Sequence, residues 1–484
     1  MNKPLRRVAL AMMAMIVLLL GNMTYIQVIQ ADQLHDDSRN KRSQYEEYEK
    51  PRGQIIAGGE SIANSVPTED QNLKFLRQYP KGPAFAPVSG YHSAFYGSNG
   101  IENAQNKILN GTDDSMKFGQ LSDLITGKGE QGGNVNLTIQ PEVQQTAYDE
   151  LTKRGFQGSV VALNPSNGKI LGMANAPSYD PNALASHWAP EAQENWQKLE
   201  NTEGSPMTNR AISEIYPPGS SFKLITGAAA LQNGYNPQSK ITQDAQINLP
   251  GTSTPLPNYG NQRCKGDTLT DAMAHSCNTA FADIAGKVGA DKLRQTAAAF
   301  GFEQDLQVPM TAAKSTTGPM SDAPSLYQSG IGQRDVRVTP MQNAMMASAI
   351  ANDGKLMKPQ MVENTQTANK SIVDEFKPQE LNQAVAPDVA HSIRDMMLQS
   401  EKYTVGEGKI KDVPIASKTG TAQHGDSADK PHGWYVAFAP AEHPQIAVAV
   451  IVENGGDQGT DATGGKVAAP IGRSVIRAGL QGGG

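Results

Sequence analysis

The sequence lacks the residues on which several classes of protein depend. Only two of its 484 residues are cysteines, and its eight histidines do not cluster with cysteines or acidic residues at the spacing of a metal site. Its 42 basic and 48 acidic residues give a formal net charge of −6, and no basic stripe follows the chain. These absences argue against nucleic-acid binding and against a bound metal, and nothing in the sequence implies a cofactor.

What the chain does have is enough apolar residues for a large core. Hydrophobic residues make up 38% of it, and 47 glycines with 30 prolines indicate many turns. Such a length exceeds that of one compact domain. We therefore expect a turn-rich globular protein with more than one domain.

One apolar run long enough for a membrane lies at the N-terminus. A basic flank at residues 3–7 precedes a stretch that is strictly apolar to residue 20 and less strictly so to residue 29. About 20 apolar residues cross a bilayer, and a basic flank stays inside. A cleaved signal peptide is the competing interpretation, but the small-residue cleavage pattern is poor. The sequence predicts a cytoplasmic tail over residues 1–7, an uncut single-pass signal anchor over residues 8–29, and an extracytoplasmic remainder.

Changes of composition divide that remainder into a stalk and two domains. Residues 31–50 are polar and charged, which is typical of a solvated stalk. Gly, Pro and Ser are frequent from there to about Gly127, where a glycine-rich break begins. We expect the stalk and a small, loop-rich, non-catalytic domain over residues 30–133, and the catalytic domain over residues 134–484.

The hydrophobic pattern after this break predicts strands, then helices, then strands again. Asn167-Gly168 joins two apolar runs into a hairpin, and Pro141 opens an amphipathic helix. The predicted strands cover residues 134–139, 158–163, 170–174, 413–421, 433–439 and 445–453. The predicted helices cover residues 141–151, 221–231, 269–288, 291–300, 341–351 and 467–480, with Pro470 as an alternative start of the last. This order predicts an α/β (α+β) fold whose antiparallel sheet joins segments distant in sequence.

A serine with a lysine three residues later opens one of these helices. In Tyr216-Pro-Pro-Gly-Ser220-Ser-Phe-Lys223 the prolines lead into an apolar helix. Ser220 and Lys223 share a helix face, which is the layout of an activated nucleophile with its own base. The same spacing occurs at Ser38, Ser166 and Ser427, but only Ser220 heads a buried helix. The alternative is that Ser220 only caps the helix.

Two further polar segments follow in the order that this chemistry needs. Ser276-Cys-Asn278 places a hydroxyl and an amide two residues apart, and Lys418-Thr-Gly-Thr421 lies on a predicted strand. Taken separately, the first is typical of a local turn and the second of a solvated edge strand. A serine motif, then Ser-x-Asn, then Lys-Thr-Gly is the set found in penicillin-binding proteins and class A β-lactamases.

The chain resembles the class B penicillin-binding proteins from residue 134 to residue 484. Matching segments include Gly168-Lys-Ile-Leu-Gly-Met173, Gly330-Ile-Gly-Gln333 and Gly433-Trp-Tyr-Val-Ala-Phe-Ala-Pro440. Upstream, Pro51-Arg-Gly-Gln-Ile-Ile56 is similar to the first non-catalytic motif of the family, and the short domain after it resembles an actinomycete subgroup. The resemblance implies a serine β-lactamase-like transpeptidase domain with a helical subdomain and a central antiparallel sheet.

The family's activity is the cross-linking of peptidoglycan stem peptides that end in D-alanyl-D-alanine. By resemblance Ser220 is the nucleophile, Lys223 its base and Ser276 a proton carrier, while the backbone N–H groups of Ser220 and Thr421 form the oxyanion hole. The residues expected to hold the substrate are Asn278, Lys418, Thr419, Gly420 and Thr421, with Gly420 leaving room for the substrate backbone. The resemblance also implies acylation by β-lactams.

The expected partners are the bacterial cytoplasmic membrane, a membrane glycan polymerase and division proteins. Other functions are compatible with the same motifs or the same fold. A D,D-carboxypeptidase would share every motif, and a non-catalytic division scaffold would retain the fold. A β-lactamase is disfavoured because no Glu-x-x-Leu-Asn segment follows Asn278, and a β-lactam sensor because residues 1–7 are too short to signal.

Cys264 and Cys277 are the only cysteines. In an extracytoplasmic domain they are either a disulfide that closes a short loop or two free buried thiols. A bridge would lie next to Ser276 and would hold the Ser276–Asn278 loop in place.

Overall fold

The computed structural model describes residues 3–31, 34, 47–116, 131–423 and 430–482. Most of the predicted stalk lies outside the described residues, as do Ser38 and Ser427. The N-terminal helix runs over Lys3–Thr24 and continues as a π-helical turn over Tyr25–Ile29. This 27-residue segment contains an 18-residue window with a mean hydropathy of 2.0 and is long and apolar enough to cross a membrane.

Strands β1 to β19 follow one another along the chain. They are, in order, Ile55–Ala57, Glu60–Pro67, Phe75–Gln78, His92–Ser93, Gly97–Ser98, Asn134–Leu137, Gly158–Leu163, Ile170–Ala176, Gln246–Asn248, Pro255–Pro257, Leu306–Gln307, Thr311–Ala312, Lys355–Met357, Val362–Gln366, Ile372–Glu375, Glu380–Gln383, Ala416–Ala422, His432–Ala439 and Ile446–Val452.

The helices are numbered α1 to α17 along the same chain. They are, in order, Lys3–Thr24, Gly82–Ser89, Gly100–Ala104, Asn106–Leu109, Pro141–Thr152, Asn182–Ala185, Ala189–Glu200, Arg210–Ser213, Lys223–Gln232, Leu269–Ala274, Asn278–Val288, Ala290–Ala299, Ala323–Ser329, Pro340–Ala351, Pro387–Tyr403, Gly464–Val467 and Ala469–Gln481. Short 3₁₀ turns cover Asp114–Met116, Gly219–Phe222, Tyr259–Asn261 and Glu453–Asp461.

A five-stranded antiparallel sheet is the centre of the fold, in the order β17-β18-β19-β7-β8. The hairpin β7–β8 lies at one side, and the last strand of the chain pairs with it, Val450 opposite Val160. The prediction of an antiparallel sheet that joins distant segments is therefore confirmed. Strand β17, which carries Lys418, is an edge strand of this sheet.

Helices cover both faces of the sheet, which explains its uninterrupted apolar strands. Helices α5 and α17 pack on one face, and α14 packs on the other. Every residue of β19 is consequently buried. The predicted helix at Pro141 is confirmed, and the last helix begins at Ala469, so Pro470 lies in its first turn, where a missing N–H is tolerated.

A second sheet joins strands from both sides of residue 133. Its order is β15-β14-β6-β1-β2-β3, with β1 parallel to β6 and the other pairs antiparallel. Strand β6 thus shares this sheet with β1, not the central sheet with β7. Strands β14 and β15 were not expected, because short strands with several polar residues lack a strong periodic pattern.

A buried charge cluster organises the domain that contains β1 to β3. The Glu102 carboxylate accepts hydrogen bonds from Arg52 Nε and Arg77 Nε, each at 2.6 Å, and from the Tyr79 hydroxyl at 3.1 Å. Burial favours a raised pKa for Glu102, but the two arginines outweigh it and bring that pKa down to about 2. Arg52 lies just before β1, Arg77 lies on β3 and Glu102 lies on helix α3. The cluster therefore joins these three elements.

We predict that Glu102→Gln strongly destabilises this domain. The substitution leaves two buried guanidinium groups short of a counter-charge, which costs about 3–5 kcal/mol. Chemical denaturation measures the loss. The matched control is Glu60→Gln, which breaks the exposed Lys81–Glu60 pair and should cost less than about 1 kcal/mol. Equal losses in the two variants would contradict a special role for the buried cluster.

Candidate active site

The turn before helix α9 is held in place from two sides. Gly219–Phe222 forms a 3₁₀ turn, and Lys223 begins the helix. The Gly219 N–H donates to the Gly332 carbonyl at 2.9 Å, and Trp434 Nε1 donates to the Pro217 carbonyl at 3.0 Å. Ser220 is half-buried on this turn, at the start of a helix whose first turns are buried throughout.

Glycine is required at position 219 by its conformation and by its neighbour. Its φ angle is +52°, and a Cβ there would lie 2.7 Å from the Thr421 carbonyl oxygen. The turn that carries Ser220 therefore packs directly against strand β17. The backbones of Ser220 and Thr421, expected to supply the oxyanion hole, lie side by side.

Ser276 lies between two buried lysines. Lys223 Nζ donates to the Ser276 carbonyl at 2.7 Å, to Ser276 Oγ at 3.2 Å and to Asn278 Oδ1 at 2.7 Å. Lys418 Nζ donates to the same Ser276 Oγ at 2.8 Å and to the Thr419 carbonyl at 2.9 Å. Both lysine side chains are fully buried. The three motifs, far apart in sequence, therefore meet at one hydroxyl.

The burial of the two lysines changes their acidity. Burial lowers the pKa of Lys223 well below its usual value, and the neighbouring Lys418 cation lowers it further. Burial likewise lowers the pKa of Lys418 to about 7. The site therefore favours the neutral form of Lys223 more than water does, and at neutral pH Lys418 is close to its own titration point.

The Ser276–Asn278 loop interrupts what the sequence predicts as one helix over residues 269–288. Helix α10 ends at Ala274, Ser276 adopts a left-handed φ of +57°, and α11 begins at Asn278. A non-glycine residue in this conformation is strained and needs support from its surroundings. Its support includes the lysine hydrogen bonds and a Cys264–Cys277 disulfide immediately beside it. Alanine-rich sequence alone does not signal this break.

Asn278 is held at both ends of its amide. Its oxygen accepts from Lys223, and its Nδ2 donates to the Pro257 carbonyl at 3.0 Å, on the hairpin strand β10. The amide orientation is thus set by one lysine amine and one backbone carbonyl.

Strand β17 presents its residues alternately to two sides. Thr419 and Thr421 are half-buried, whereas Lys418 and Gly420 are buried. A Cβ on Gly420 would lie 2.8 Å from the Pro218 carbonyl oxygen. The Ser220 turn therefore occupies the space beside Gly420. Glycine is needed at this position so that the strand can pack against the turn, whereas the sequence had suggested that it leaves room for the substrate backbone.

The structure separates Ser220 from the other described serine with the same spacing. Ser166 lies in the β7–β8 turn, where its hydroxyl bonds to Asn164 Oδ1, and Lys169 pairs with Glu363 at 2.6 Å. Neither side chain approaches the motifs described above. Ser166 and Lys169 serve the turn and a surface ion pair.

Several residues that support the site were not predicted from the sequence. Trp434 and Gly332 hold the Ser220 turn, and a Cβ on Gly332 would come within 2.0 Å of the Gly219 carbonyl oxygen. Glu453 accepts from Arg210 Nε at 3.0 Å and from the Tyr216 hydroxyl at 2.8 Å, just upstream of the turn. The segments that contain Gly332 and Trp434 were visible as motifs, but their contacts depend on the tertiary structure.

A serine at a helix start, two buried lysines and a Ser-x-Asn loop beside an antiparallel sheet define the class of Ser-x-x-Lys acyl-transferring enzymes. The sequence model described as penicillin binding protein transpeptidase domain matches residues 158–477, and the penicillin binding protein A dimerisation domain matches residues 52–135. The chain belongs to the penicillin-binding protein transpeptidase family.

Full-length relatives support this assignment. The peptidoglycan D,D-transpeptidase PbpA of Mycolicibacterium smegmatis is 49% identical over 99% of both chains, and PbpA of Mycobacterium tuberculosis is 46% identical over all of both. The ceftriaxone acyl-enzyme complex of M. tuberculosis penicillin-binding protein A superposes with a TM-score of 0.88 at 45% identity, covering 90% of this chain and all of that one. The resemblance to an actinomycete subgroup is thereby confirmed.

We predict that Gly332→Ala disables the site through the Ser220 turn. Its Cβ would collide with the Gly219 carbonyl and displace Ser220, the expected nucleophile, so acylation by penicillin should fall by at least about tenfold, as expected for misplacement of reacting groups. Gly234→Ala is the matched control. Gly234 also has a positive φ, of +92°, but a Cβ added there would meet no atom within 4 Å. Equal acylation rates in both variants would show that the Gly332 contact does not position the turn.

Proposed function

We propose that this chain is a peptidoglycan D,D-transpeptidase that forms stem-peptide cross-links through an acyl-enzyme on Ser220. The observation that carries the proposal is the position of Ser276 Oγ, 3.2 Å from Lys223 Nζ and 2.8 Å from Lys418 Nζ, beside the helix that Ser220 opens. Family membership supports the same chemistry and implies that β-lactams acylate Ser220.

Acylation begins with a neutral Lys223. Two of its three partners, the Ser276 carbonyl and Asn278 Oδ1, only accept hydrogen bonds, so the two N–H groups of a neutral amine point at them. The lone pair is then left for a hydroxyl. Ser220 Oγ attacks the penultimate D-alanine carbonyl and gives its proton to this lone pair, while the backbone N–H groups of Ser220 and Thr421 stabilise the oxyanion.

Expulsion of D-alanine completes the first half of the reaction. The C–N bond breaks, and the leaving nitrogen takes a proton from Ser276, which regains one from Lys223 or Lys418 through the bonds described above. Ser220 is left as an ester. An acceptor amine then attacks this ester, loses a proton to the same group of residues and releases Ser220 with the new amide bond formed.

The terminal carboxylate of the donor marks the correct substrate. We assign its recognition to protonated Lys418 with Thr419 and Thr421, and assign the substrate amide to Asn278. A carboxylate beside Lys418 favours the charged lysine, so donor binding itself holds Lys418 protonated. A β-lactam carries a carboxylate at the corresponding end.

We further propose the arrangement of the chain around this site. Residues 1–7 are a cytoplasmic tail, residues 8–29 a single-pass anchor and residues 30–133 a stalk with a non-catalytic domain, so that catalysis by residues 134–484 takes place outside the membrane. The apolar N-terminal helix supports the anchor. The family's dependence on glycan chains made elsewhere supports a membrane glycan polymerase as partner, in cell-wall synthesis and division.

Covalent labelling with a fluorescent penicillin tests the mechanism. Ser220→Ala should abolish labelling while leaving the unfolding temperature within a few degrees, because it removes only the attacking oxygen. Ser166→Ala, which has the same Ser-x-x-Lys spacing in the β7–β8 turn, should be labelled like the wild type. Labelling of Ser220→Ala would overturn the assignment of the nucleophile.

A stem-peptide assay with and without an acceptor amine separates the remaining functions. A transpeptidase yields the cross-linked product only when acceptor is present. Release of D-alanine without any cross-link at saturating acceptor would favour a D,D-carboxypeptidase, and absence of both products would favour a non-catalytic scaffold.

The rate of acylation should depend on pH as a bell-shaped curve. The rate rises with pH as Lys223 loses its proton at a pKa well below the usual value, and it falls as Lys418 loses its own near pH 7. Lys418→Gln should remove the alkaline limb and move the acid limb to higher pH, since the cation that helps to lower the Lys223 pKa is gone. Because burial is the larger cause, the acid limb should move only part of the way towards the usual lysine pKa. An acid limb unchanged in Lys418→Gln would contradict this coupling.

A further inference from the structure

A largely buried carboxylate, with 12% of its side chain exposed, lies behind the strand that carries Lys418. Glu401, near the end of helix α15 (Pro387–Tyr403), accepts a hydrogen bond from Arg473 Nε at 2.8 Å through Oε1, and the same oxygen lies 2.7 Å from Arg473 Nη2 in an ion pair. Through Oε2 it accepts from the Ser417 hydroxyl and from the Tyr435 hydroxyl at 3.1 Å. One side chain thus joins helix α15, helix α17 and the two strands β17 and β18.

Arg473 uses its remaining donors on a loop. Its side chain is fully buried, and Nη1 donates to the Gly406 carbonyl at 2.8 Å and the Glu407 carbonyl at 2.9 Å. The loop that leads from α15 towards β17 is thereby tied to the same ion pair. Arg473 also lies 5.9 Å from the centre of the Tyr435 ring, a cation–π contact.

The contact with Ser417 acts on the catalytic strand itself. Ser417 directly precedes Lys418, and neighbouring side chains of a strand point to opposite faces. Glu401 therefore holds the strand from the face opposite to Lys418. Tyr435, its other hydroxyl partner, lies opposite Thr419 on β18.

A second route connects the ion pair with the same strand. A Cβ on Gly406 would lie 2.2 Å from the Gly465 carbonyl oxygen, and one on Gly464 would lie 2.6 Å from the Gly420 carbonyl oxygen. The loop held by Arg473 thus packs on the Gly464-Gly465 turn, which packs on Lys418-Thr-Gly. Movement of Arg473 would be passed on through these close backbone contacts.

An edge strand has particular need of such support. In the described sheet β17 pairs only with β18, so its outer edge is free for the Ser220 turn and for substrate. A buried ion pair is weak evidence for stability, because apolar residues of similar volume often stabilise a protein as well or better. Its position behind the one strand that must be placed accurately indicates a role in placing it.

We propose that Glu401, held by Arg473, is a positioning residue that sets the place of Lys418, Thr419 and Thr421 through its hydrogen bond with Ser417. This inference rests on the proposed function. It adds a carboxylate and a guanidinium, which never touch substrate, to the residues on which recognition of the donor carboxylate depends.

Two variants that remove one hydroxyl each from the same Glu401 oxygen test the proposal. Ser417→Ala cuts the bond to the catalytic strand, and Tyr435→Phe cuts the bond to β18 while keeping the ring beside Arg473. Both leave the ion pair intact, whereas Glu401→Gln would bury an unpaired guanidinium and threaten folding. Acylation rate constants are measured with benzylpenicillin and with its methyl ester, which lacks the carboxylate, together with unfolding temperatures.

For Ser417→Ala we expect acylation by benzylpenicillin to fall about tenfold, the effect of one hydrogen bond to a charged group. Acylation by the methyl ester should fall less, because the ester does not use the carboxylate site. Tyr435→Phe should change both rates less than about threefold, since its bond does not hold β17 directly.

Three results would overturn the proposal: an unchanged rate in Ser417→Ala, equal losses for the acid and the ester, or an equal loss in Tyr435→Phe. Wild-type protein that resists labelling by benzylpenicillin would instead refute the proposed function. A lower unfolding temperature in Ser417→Ala without a change in the ratio of the acid and ester rates would reduce Glu401 to a structural role.

Discussion

The whole site depends on keeping two lysine amines buried within hydrogen-bond distance of one serine hydroxyl. Lys223 and Lys418 repel each other when charged, and burial raises the free energy of both charges. Their common partner Ser276 adopts a left-handed backbone conformation to reach them. This arrangement is unfavourable by itself, so the surrounding fold must impose it. The result is that the pKa of Lys223 lies well below its usual value, and that of Lys418 is lowered to about 7.

The fold imposes it by bringing three rigid elements together. Helix α9 carries Lys223 and is buried for most of its length, strand β17 carries Lys418, and the loop between α10 and α11 carries Ser276. Close backbone contacts at Gly219, Gly332 and Gly420 leave no room even for a Cβ atom. These contacts therefore fix the distances between the elements tightly. Partly buried ion pairs lie behind them: Glu453 with Arg210 near the Ser220 turn, and Glu401 with Arg473 behind β17. A displacement of the surrounding scaffold would therefore also displace the residues of the site.

Much of this was accessible from the sequence. The hairpin at Asn167-Gly168, the apolar strands at 433–439 and 445–453 and the helix from Pro141 have strong local signals, because alternation, turn chemistry and capping act over a few residues. The break at Ser276 was missed for the opposite reason. Its alanine-rich surroundings favour a continuous helix, and only contacts with distant lysines and Cys264 support the left-handed residue. Strands β14 and β15 were missed because short strands with several polar residues have weak periodicity.

The sequence by itself determined the fold class, the family and the three motifs, because these are encoded in residue types at short spacing and in their order along the chain. It distinguished Ser220 from the other serines with the same spacing by its helix and by the accompanying motifs, but it left Cys264 and Cys277 without a defined state. Only the tertiary structure decided that Ser276 lies between Lys223 and Lys418, that the cysteines are joined, and that Glu401 lies behind strand β17. The physical reason is that pKa shifts, close backbone contacts and buried charge pairs arise between residues that are neighbours in space and remote in sequence.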